Sequence, residues 1–344
     1  MAQLSNHSIV LSKRPKEFII PGETFALDKR LMLNENNLES GQILVKKPYL
    51  SIDLAMRAYL NDSYTPTYMA PLQIGEVMRG AIIGKVVGNK ASAFDIGAYV
   101  SCNSGWTEFA VVDAKDAVPL ELPQTGKLTD ALGLLGNTGM TAYFGILNIG
   151  QVKSGDFVVV SDAAGATGSI VCQIAKLQGA RVLEIAGSDD KVAWSKELGC
   201  DDALNYKNTD FARQLKQKTA GSIDVFFHNV RGEIMDLALA QAKPHARFVM
   251  YGGIIQYNSA DPIGPKNILS VVISRVKMQG FLIFDYVPRY PEAQKALTQW
   301  LLDGKLQRKE TIIKGGLIAA EQGLIYLYNG INTGKLLVEV AADE

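Results

Sequence analysis

Residues 161–168 (SDAAGATG) carry the strongest chemical signal in the chain. They follow an apolar stretch, FVVVS at 157–161, and open a segment with helical spacing at Ile170, Ile174 and Leu177. In that setting Gly165 and Gly168 let the backbone approach a pyrophosphate closely. The helix that begins near Ala166 then offers unpaired N–H groups and a positive dipole end to the anion. The pattern is A-x-G-x-x-G, with Ala163 where the common fingerprint has its first glycine. Taken alone it also fits an ordinary glycine-containing turn between a strand and a helix. The strand before it, the helix after it and a second strand at 181–186 favour a dinucleotide.

The tip of that second strand separates two nucleotides. It ends on Ala186-Gly187-Ser188. Sites for NAD place Asp or Glu there, roughly 20 residues past the loop, to hold the ribose hydroxyls. A carboxylate at that point would repel a 2′-phosphate, and none is present. Small residues open room instead, and Lys191 follows one helical turn on, a point charge suited to phosphate. The pattern predicts NADPH as cofactor. Lys191 can also be read as a solvated helix lysine. Of the nearby acids, Glu184 lies inside the strand and Asp189 reads as a helix N-terminal acid.

Metal chemistry has little to work with. The three cysteines, Cys102, Cys172 and Cys200, are far apart, and so are His7, His228 and His245. A four-cysteine structural zinc site is impossible, and no three ligands converge in sequence. The expectation is no metal.

The elements that position the loop fall into three stretches. Residues 1–125 read as strands and turns, with β-rich runs at 42–52, 78–87, 98–101 and 108–112. Pro119 and Pro123 punctuate the end of this part. Residues 126–303 alternate apolar strands (157–161, 181–186, 223–227, 247–251, 277–284) with helical segments. That alternation predicts a parallel sheet covered on both faces. Residues 304–344 return to β character at 335–340, so the tail is expected to rejoin the first domain.

The 344 residues are 47% hydrophobic and 20% charged, a globular composition long enough for two domains. Lys+Arg and Asp+Glu balance at 35 each. Balanced charge gives no electrostatic reason to expect nucleic acid or an anionic membrane as partner. No apolar run approaches the ~18 residues of a membrane span. Residues 1–21 lack the apolar centre of a signal peptide. A cytoplasmic protein is expected.

Several further segments follow one another in a recognisable order. They are LSIDLAMR (50–57), RGAIIGKV (79–86), LLGNTGMTAYFG (134–145), AGSDDK (186–191), NYK (205–207), HNVRG (228–232), IQYN (255–258), MQGFL (278–282) and NTGKLLV (332–338). With the glycine loop, they resemble the zinc-independent branch of the medium-chain dehydrogenase/reductase superfamily. That branch holds prostaglandin reductases, alkenal/one reductases and bacterial curcumin reductases. The resemblance spans nearly the whole chain. It implies a Rossmann doubly wound parallel sheet plus a discontinuous GroES-like β-barrel domain. It also implies NADPH, a small conjugated carbonyl substrate and a homodimer.

By motif position, the resemblance implies that Gly165, Ala166 and Gly168 face the pyrophosphate. Gly187, Ser188, Lys191 and Tyr206 surround the adenosine 2′-phosphate. Thr141, Asn229, Gly280 and Phe281 lie near the nicotinamide half, and Asn332 and Lys335 belong to a further cofactor motif. Tyr206 also reads as a packed surface aromatic, and Asn229 as a loop residue. The zinc-dependent branch has Gly-His-Glu where this chain has Arg79-Gly80-Ala81.

The implied reaction adds hydride to the β-carbon of an α,β-unsaturated ketone or aldehyde, sending negative charge to the carbonyl oxygen. A donor aimed at that oxygen lowers the barrier. Tyr257 is the catalytic candidate by family position, with the cofactor ribose hydroxyl an equal one and pocket wall the plain alternative. Ala55 and Arg57 fall on the substrate side. The family usually has a tyrosine at position 55, so Ala55 removes a ring and a hydroxyl from that wall. Asp53 and Arg57 also read as an i,i+4 ion pair. Further departures are Asp162 in the loop, His228 for a usual acid and Arg231 for a glycine. Quinone reduction remains an alternative acceptor chemistry, and a non-enzymatic cofactor-binding protein an alternative class.

Overall fold

Runs rich in β-branched and aromatic residues, such as QILVKKPYLS, form strands in the head of the chain, seven among its described residues. These are β1 (Ser5–Leu11), β2 (Phe25–Leu31), β3 (Gln42–Ser51), β4 (Ile82–Asn89), β5 (Tyr99–Cys102), β6 (Phe109–Asp113) and β7 (Val118–Pro119). The computed structural model describes residues 5–61, 69–230, 232–253 and 264–341. β1 and β2 form an antiparallel ribbon of their own. β3 pairs antiparallel with both β4 and β6. Its register with β4 shifts between Leu44 and Val45 and again between Lys46 and Tyr49. Such irregularities bend a strand and curl the sheet around its contents. The contents are apolar: Ile43, Val45, Leu50, Ile82, Val86, Val100 and Trp106 share one core. Lys47 is buried there too. Lys47 donates to the carbonyls of Ser104 (3.1 Å) and Gly105 (2.9 Å). Burial pulls its amine down to about 7, with Cys102 pulling the other way.

Strand and helix then alternate. The order is α1 (Asn137–Phe144), β8 (Phe157–Ser161), α2 (Ala166–Leu177), β9 (Arg181–Ala186), α3 (Asp189–Glu197), β10 (Asp202–Asn205) and α4 (Phe211–Thr219). Next come β11 (Ile223–His228), α5 (Glu233–Ala240), β12 (Ala242–Met250), α6 (Leu269–Ile273), β13 (Lys277–Gly280) and α7 (Tyr290–Leu302). The six strands form one sheet in the order β10-β9-β8-β11-β12-β13, and their pairs are parallel. All of β8 is buried, as a strand covered on both faces must be. Val158 and Val160 join the core shared with α1, α2 and α7, while Phe157 and Val159 join the one shared with α4 and α5. The winding reverses at β8. The chain runs outward from β8 to β10 and returns to β11 on the other side. In open parallel sheets, ligands sit at the carboxyl ends of the strands at such a switch point.

The tail supplies β14 (Glu310–Ile313), α8 (Ala320–Tyr328) and β15 (Lys335–Glu339). β15 pairs antiparallel with β3, Leu337 opposite Ser51 and Val338 opposite Leu50. The chain divides into two units. One holds Met1–Leu132, Thr311–Asn332 and Leu336–Glu344; the other holds Gly133–Glu310 and Thr333–Lys335. The first is the discontinuous GroES-like domain and the second the Rossmann domain. No helix among the described residues is long and apolar enough to cross a membrane.

Candidate functional site

The carboxyl end of β8 leads into the glycine loop through Asp162. Its φ of +54° lies in the left-handed region, which Asp tolerates better than most residues. Asp162 O accepts from Gly165 N–H at 3.0 Å, closing a tight turn. Gly165 is the N-cap of α2 and provides no side-chain cap. The first N–H groups of α2 therefore lack the side-chain acceptor a helix start usually recruits, and an anion suits them. A Cβ on Gly168 would meet Asp162 O at 2.3 Å, so only glycine lets the helix begin this close to the turn. A segment distant in sequence braces the loop. Gly334 N–H donates to Ala164 O at 2.8 Å, and Gly334 bridges Gly165 in parallel. Lys335 beside it is buried, its N–H donating to Lys309 O at 2.9 Å. Asn332 is buried as well.

The tip of β9 forms the second part. Ser188 caps α3, accepting from Lys191 N–H at 3.4 Å. Asp189 accepts from Asn205 Nδ2 at 2.9 Å, which ties the helix start to the end of β10. Tyr206 N–H donates to Ala186 O at 3.0 Å. Its ring lies over Gly187, where an added Cβ would come within 3.0 Å of Cε1. Tyr206 is 40% exposed, so one side of the ring stays open. Lys191 is not a solvated helix lysine: only 9% of it is exposed. Burial lowers its pKa, while the Asp162 carboxylate pulls it back up.

The third part lies toward β11 and β13. Asn229, buried in the bend that follows β11, donates from its N–H to Ser161 Oγ (3.3 Å). Its Nδ2 donates to Asp162 Oδ2 (3.5 Å). His228 is fully buried, with Nδ1 3.1 Å from Ser161 Oγ and its ring stacked on Phe226. Gly280 ends β13 opposite Met250. Phe281 meets Tyr286 edge-on and packs over Gly145, where a Cβ would strike its ring at 2.8 Å. Thr141 sits in α1 with Oγ1 donating to Asn137 O at 2.7 Å.

In the GroES-like unit, Ala55 and Arg57 lie on the 3-10 helix Leu54–Leu60. Ala55 is half-buried. Arg57 is 1% exposed, and its guanidinium donates to Asn61 Oδ1 and to the carbonyls of Glu17 (2.8 Å) and Lys16 (3.4 Å). Those bonds tie the helix to the 16–17 segment. Tyr257 and Arg231 lie outside the described residues.

Comparisons with known proteins agree with this architecture. Residues 7–120 match the family model described as the N-terminal domain of oxidoreductase, and residues 166–300 the one described as zinc-binding dehydrogenase. The chain is 36% identical to the NADPH-dependent curcumin reductase of Escherichia coli, over 98% of each chain. It is 38% identical to prostaglandin reductase 1 of Bos taurus, over 88% of this chain and 90% of the relative. The crystal structure of CurA from Vibrio vulnificus in complex with NADPH has a TM-score of 0.90 against this chain. The two are 37% identical, over 98% of this chain and 99% of CurA. This chain belongs to the zinc-independent medium-chain dehydrogenase/reductases.

The second family model takes its name from the zinc-dependent branch of these dehydrogenase/reductases. Among the described residues here, no group of three or more His, Cys, Asp or Glu is placed to hold a metal ion. Two carboxyls had no role assigned from sequence yet sit within this site of the reductase. Asp162 lies under the glycine loop, and Glu184 is fully buried in β9. Strand alternation offered a signal for Glu184. It stands two residues before Ala186 and so faces the same side of the sheet as the strand tip.

Proposed function

We propose that this medium-chain reductase uses NADPH to reduce the carbon–carbon double bond of α,β-unsaturated ketones or aldehydes. The tip of β9 carries the cofactor choice. It lacks a terminal carboxylate, Tyr206 flanks Gly187, and Lys191 sits in the first turn of α3. Gly187, Ser188, Lys191 and Tyr206 hold the 2′-phosphate. The α2 N-terminus, from Gly165 through Ala166 to Gly168, holds the pyrophosphate. Thr141, Asn229, Gly280 and Phe281 line the nicotinamide half, with Asn332 in the neighbouring motif. Bound there, the cofactor supplies hydride to the substrate β-carbon. The chain orients the acceptor and stabilises the charge that reaches the carbonyl oxygen. Tyr257 donates a hydrogen bond to that oxygen, Ala55 and Arg57 belong to the substrate side, and water protonates the α-carbon.

The acceptor class is supported by near-full-length relatives named curcumin reductase and prostaglandin reductase 1. The quinone oxidoreductase of Escherichia coli in complex with NADPH is 18% identical with a TM-score of 0.75, a likeness of fold alone. The test follows NADPH oxidation with enones, 2-alkenals and quinones as acceptors. Enones or alkenals are expected to give the highest kcat/KM, with NADPH preferred over NADH. A quinone optimum with no enone turnover overturns this proposal.

The working form is a cytoplasmic homodimer joined at one edge of the parallel sheet. The edges are β10 and β13, and the pairing uses β13. On α6 nearby, Leu269, Val272 and Ile273 are 71%, 73% and 72% exposed. Apolar side chains beside an unpaired edge invite a second copy. Sedimentation at micromolar concentration is expected to give the dimer mass, and a strict monomer excludes the pairing. The three cysteines are buried free thiols, which suits a reducing compartment; cell fractionation checks the location.

A further inference from the structure

Glu184 is the most unusual buried group in the Rossmann unit. Leu183 and Ile185 point into the core shared with α4 and α5. Alternation turns Glu184 to the opposite face of the sheet, where it meets Cys172 of α2 and Ser195 and Lys191 of α3. It is 0% exposed, and neither carboxyl oxygen has a hydrogen-bond partner. The Ser195 hydroxyl lies beside it, but its hydrogen goes to Lys191 O at 3.0 Å. A carboxylate there can accept only if the Ser195 hydroxyl turns away from Lys191 O, whereas a neutral acid can donate to Ser195 Oγ with that bond intact. Burial pushes Glu184 up to about 8, Ser195 and Lys191 opposing and Asp162 adding to the push.

Asp162 is the second carboxyl of the cluster. An added Cβ at Gly165 would come within 2.7 Å of its Oδ2, so the carboxyl sits directly under the glycine loop. Lys191, Asn229 and Tyr206 face it. Burial raises its pKa against the pull of Lys191 and Asn229. Two carboxyls thus share one ammonium, and Lys207 beyond it further disfavours the charge on Lys191.

We propose that NADPH binding is linked to uptake of a proton by the Asp162–Glu184 pair. The inference rests on Lys191 facing the 2′-phosphate. A phosphate dianion there takes a share of the Lys191 charge and adds negative potential of its own. Both effects favour the neutral carboxyls. A group that binds its proton more tightly in the complex makes affinity fall as pH rises past the free-protein value. For Glu184 that window opens near pH 8. Measurements belong above pH 7, because a phosphate monoester itself titrates near pH ~6.

The test is calorimetric titration of the full chain with NADPH between pH 7 and 9, in buffers of different ionisation enthalpy. Proton uptake should grow through this range toward one per chain. The NADPH Kd should weaken by up to about tenfold per pH unit at its steepest. NADH should show a shallower slope. Glu184→Gln should remove most of the uptake, and Asp162→Asn should remove the remainder. Buffer-independent heats in the wild-type chain overturn the proposal without recourse to any variant. Uptake that persists in both variants also overturns it, since the proton then belongs to Lys191 or Tyr206. Lys191→Ala separates the two levels. An unchanged NADPH-to-NADH preference in that variant refutes the placement of Lys191, whereas an altered preference there together with no proton uptake in the wild-type chain refutes only the linkage.

Discussion

Lys191→Ala is expected to raise the Kd for NADPH by about ten- to a hundredfold and that for NADH by less than about threefold. A hydrogen bond to a charged group contributes roughly 1.5–3 kcal/mol, and each 1.4 kcal/mol is tenfold in affinity. The higher part of the range applies because Lys191 is only 9% exposed, so water screens it little. Lys207, its ammonium 5.9 Å from the Tyr206 ring, is the neighbouring cation that remains and keeps the loss from being larger. Ser188 already accepts from the Lys191 N–H, and Tyr206 contributes a neutral phenol. NADH has no 2′-phosphate, so its loss reflects only the altered potential of the carboxyl pair. Lys191→Arg keeps the charge and is expected to keep most of the selectivity. Fluorescence titration with each nucleotide reads both constants. Equal losses for the two nucleotides would assign Lys191 to packing rather than to phosphate.

The parts of this molecule that sequence made legible are those set by local chemistry. FVVVS followed by a glycine turn and a helical period specifies strand, turn and helix within a dozen residues, and β8, the loop and α2 form there. The alternation of apolar strands with helices identified the parallel sheet for the same reason. Less legible were features that depend on which element lies opposite. Glu184 is readable as a strand residue, but its lack of a partner depends on Ser195 donating elsewhere. Lys191 also read as solvated because an isolated helix exposes such a position; packing against the loop and β9 buries it. Gly334 bracing the glycine loop is a contact between segments far apart in the chain. Arg57 could be read as an ion-pair partner of Asp53 from spacing alone. Its bonds to the carbonyls of residues 16 and 17 required the tertiary arrangement.

The other large effect is expected at Tyr257, whose role rests on motif position. Tyr257→Phe should lower kcat/KM for an enone by roughly ten- to a thousandfold, bounded by the usual cost of losing one oxyanion donor. The physical reason is where charge develops. Hydride arriving at the β-carbon moves an electron pair to the carbonyl oxygen, and a donor placed there stabilises the transition state more than the ground state. The fall should therefore appear in kcat as well as in kcat/KM. NADPH affinity should stay unchanged, because the phenol addresses the substrate. Ala55 sharpens the expectation. The related reductases usually have a tyrosine there, and an alanine brings neither ring nor hydroxyl, leaving fewer protein donors to compensate. Ala55→Tyr combined with Tyr257→Phe is the informative second variant. Partial recovery of kcat/KM would show that a phenol from either position can reach the oxygen. A Tyr257→Phe variant with full kcat/KM on a good enone would return Tyr257 to the pocket wall, leaving the oxygen to the ribose hydroxyl or to water.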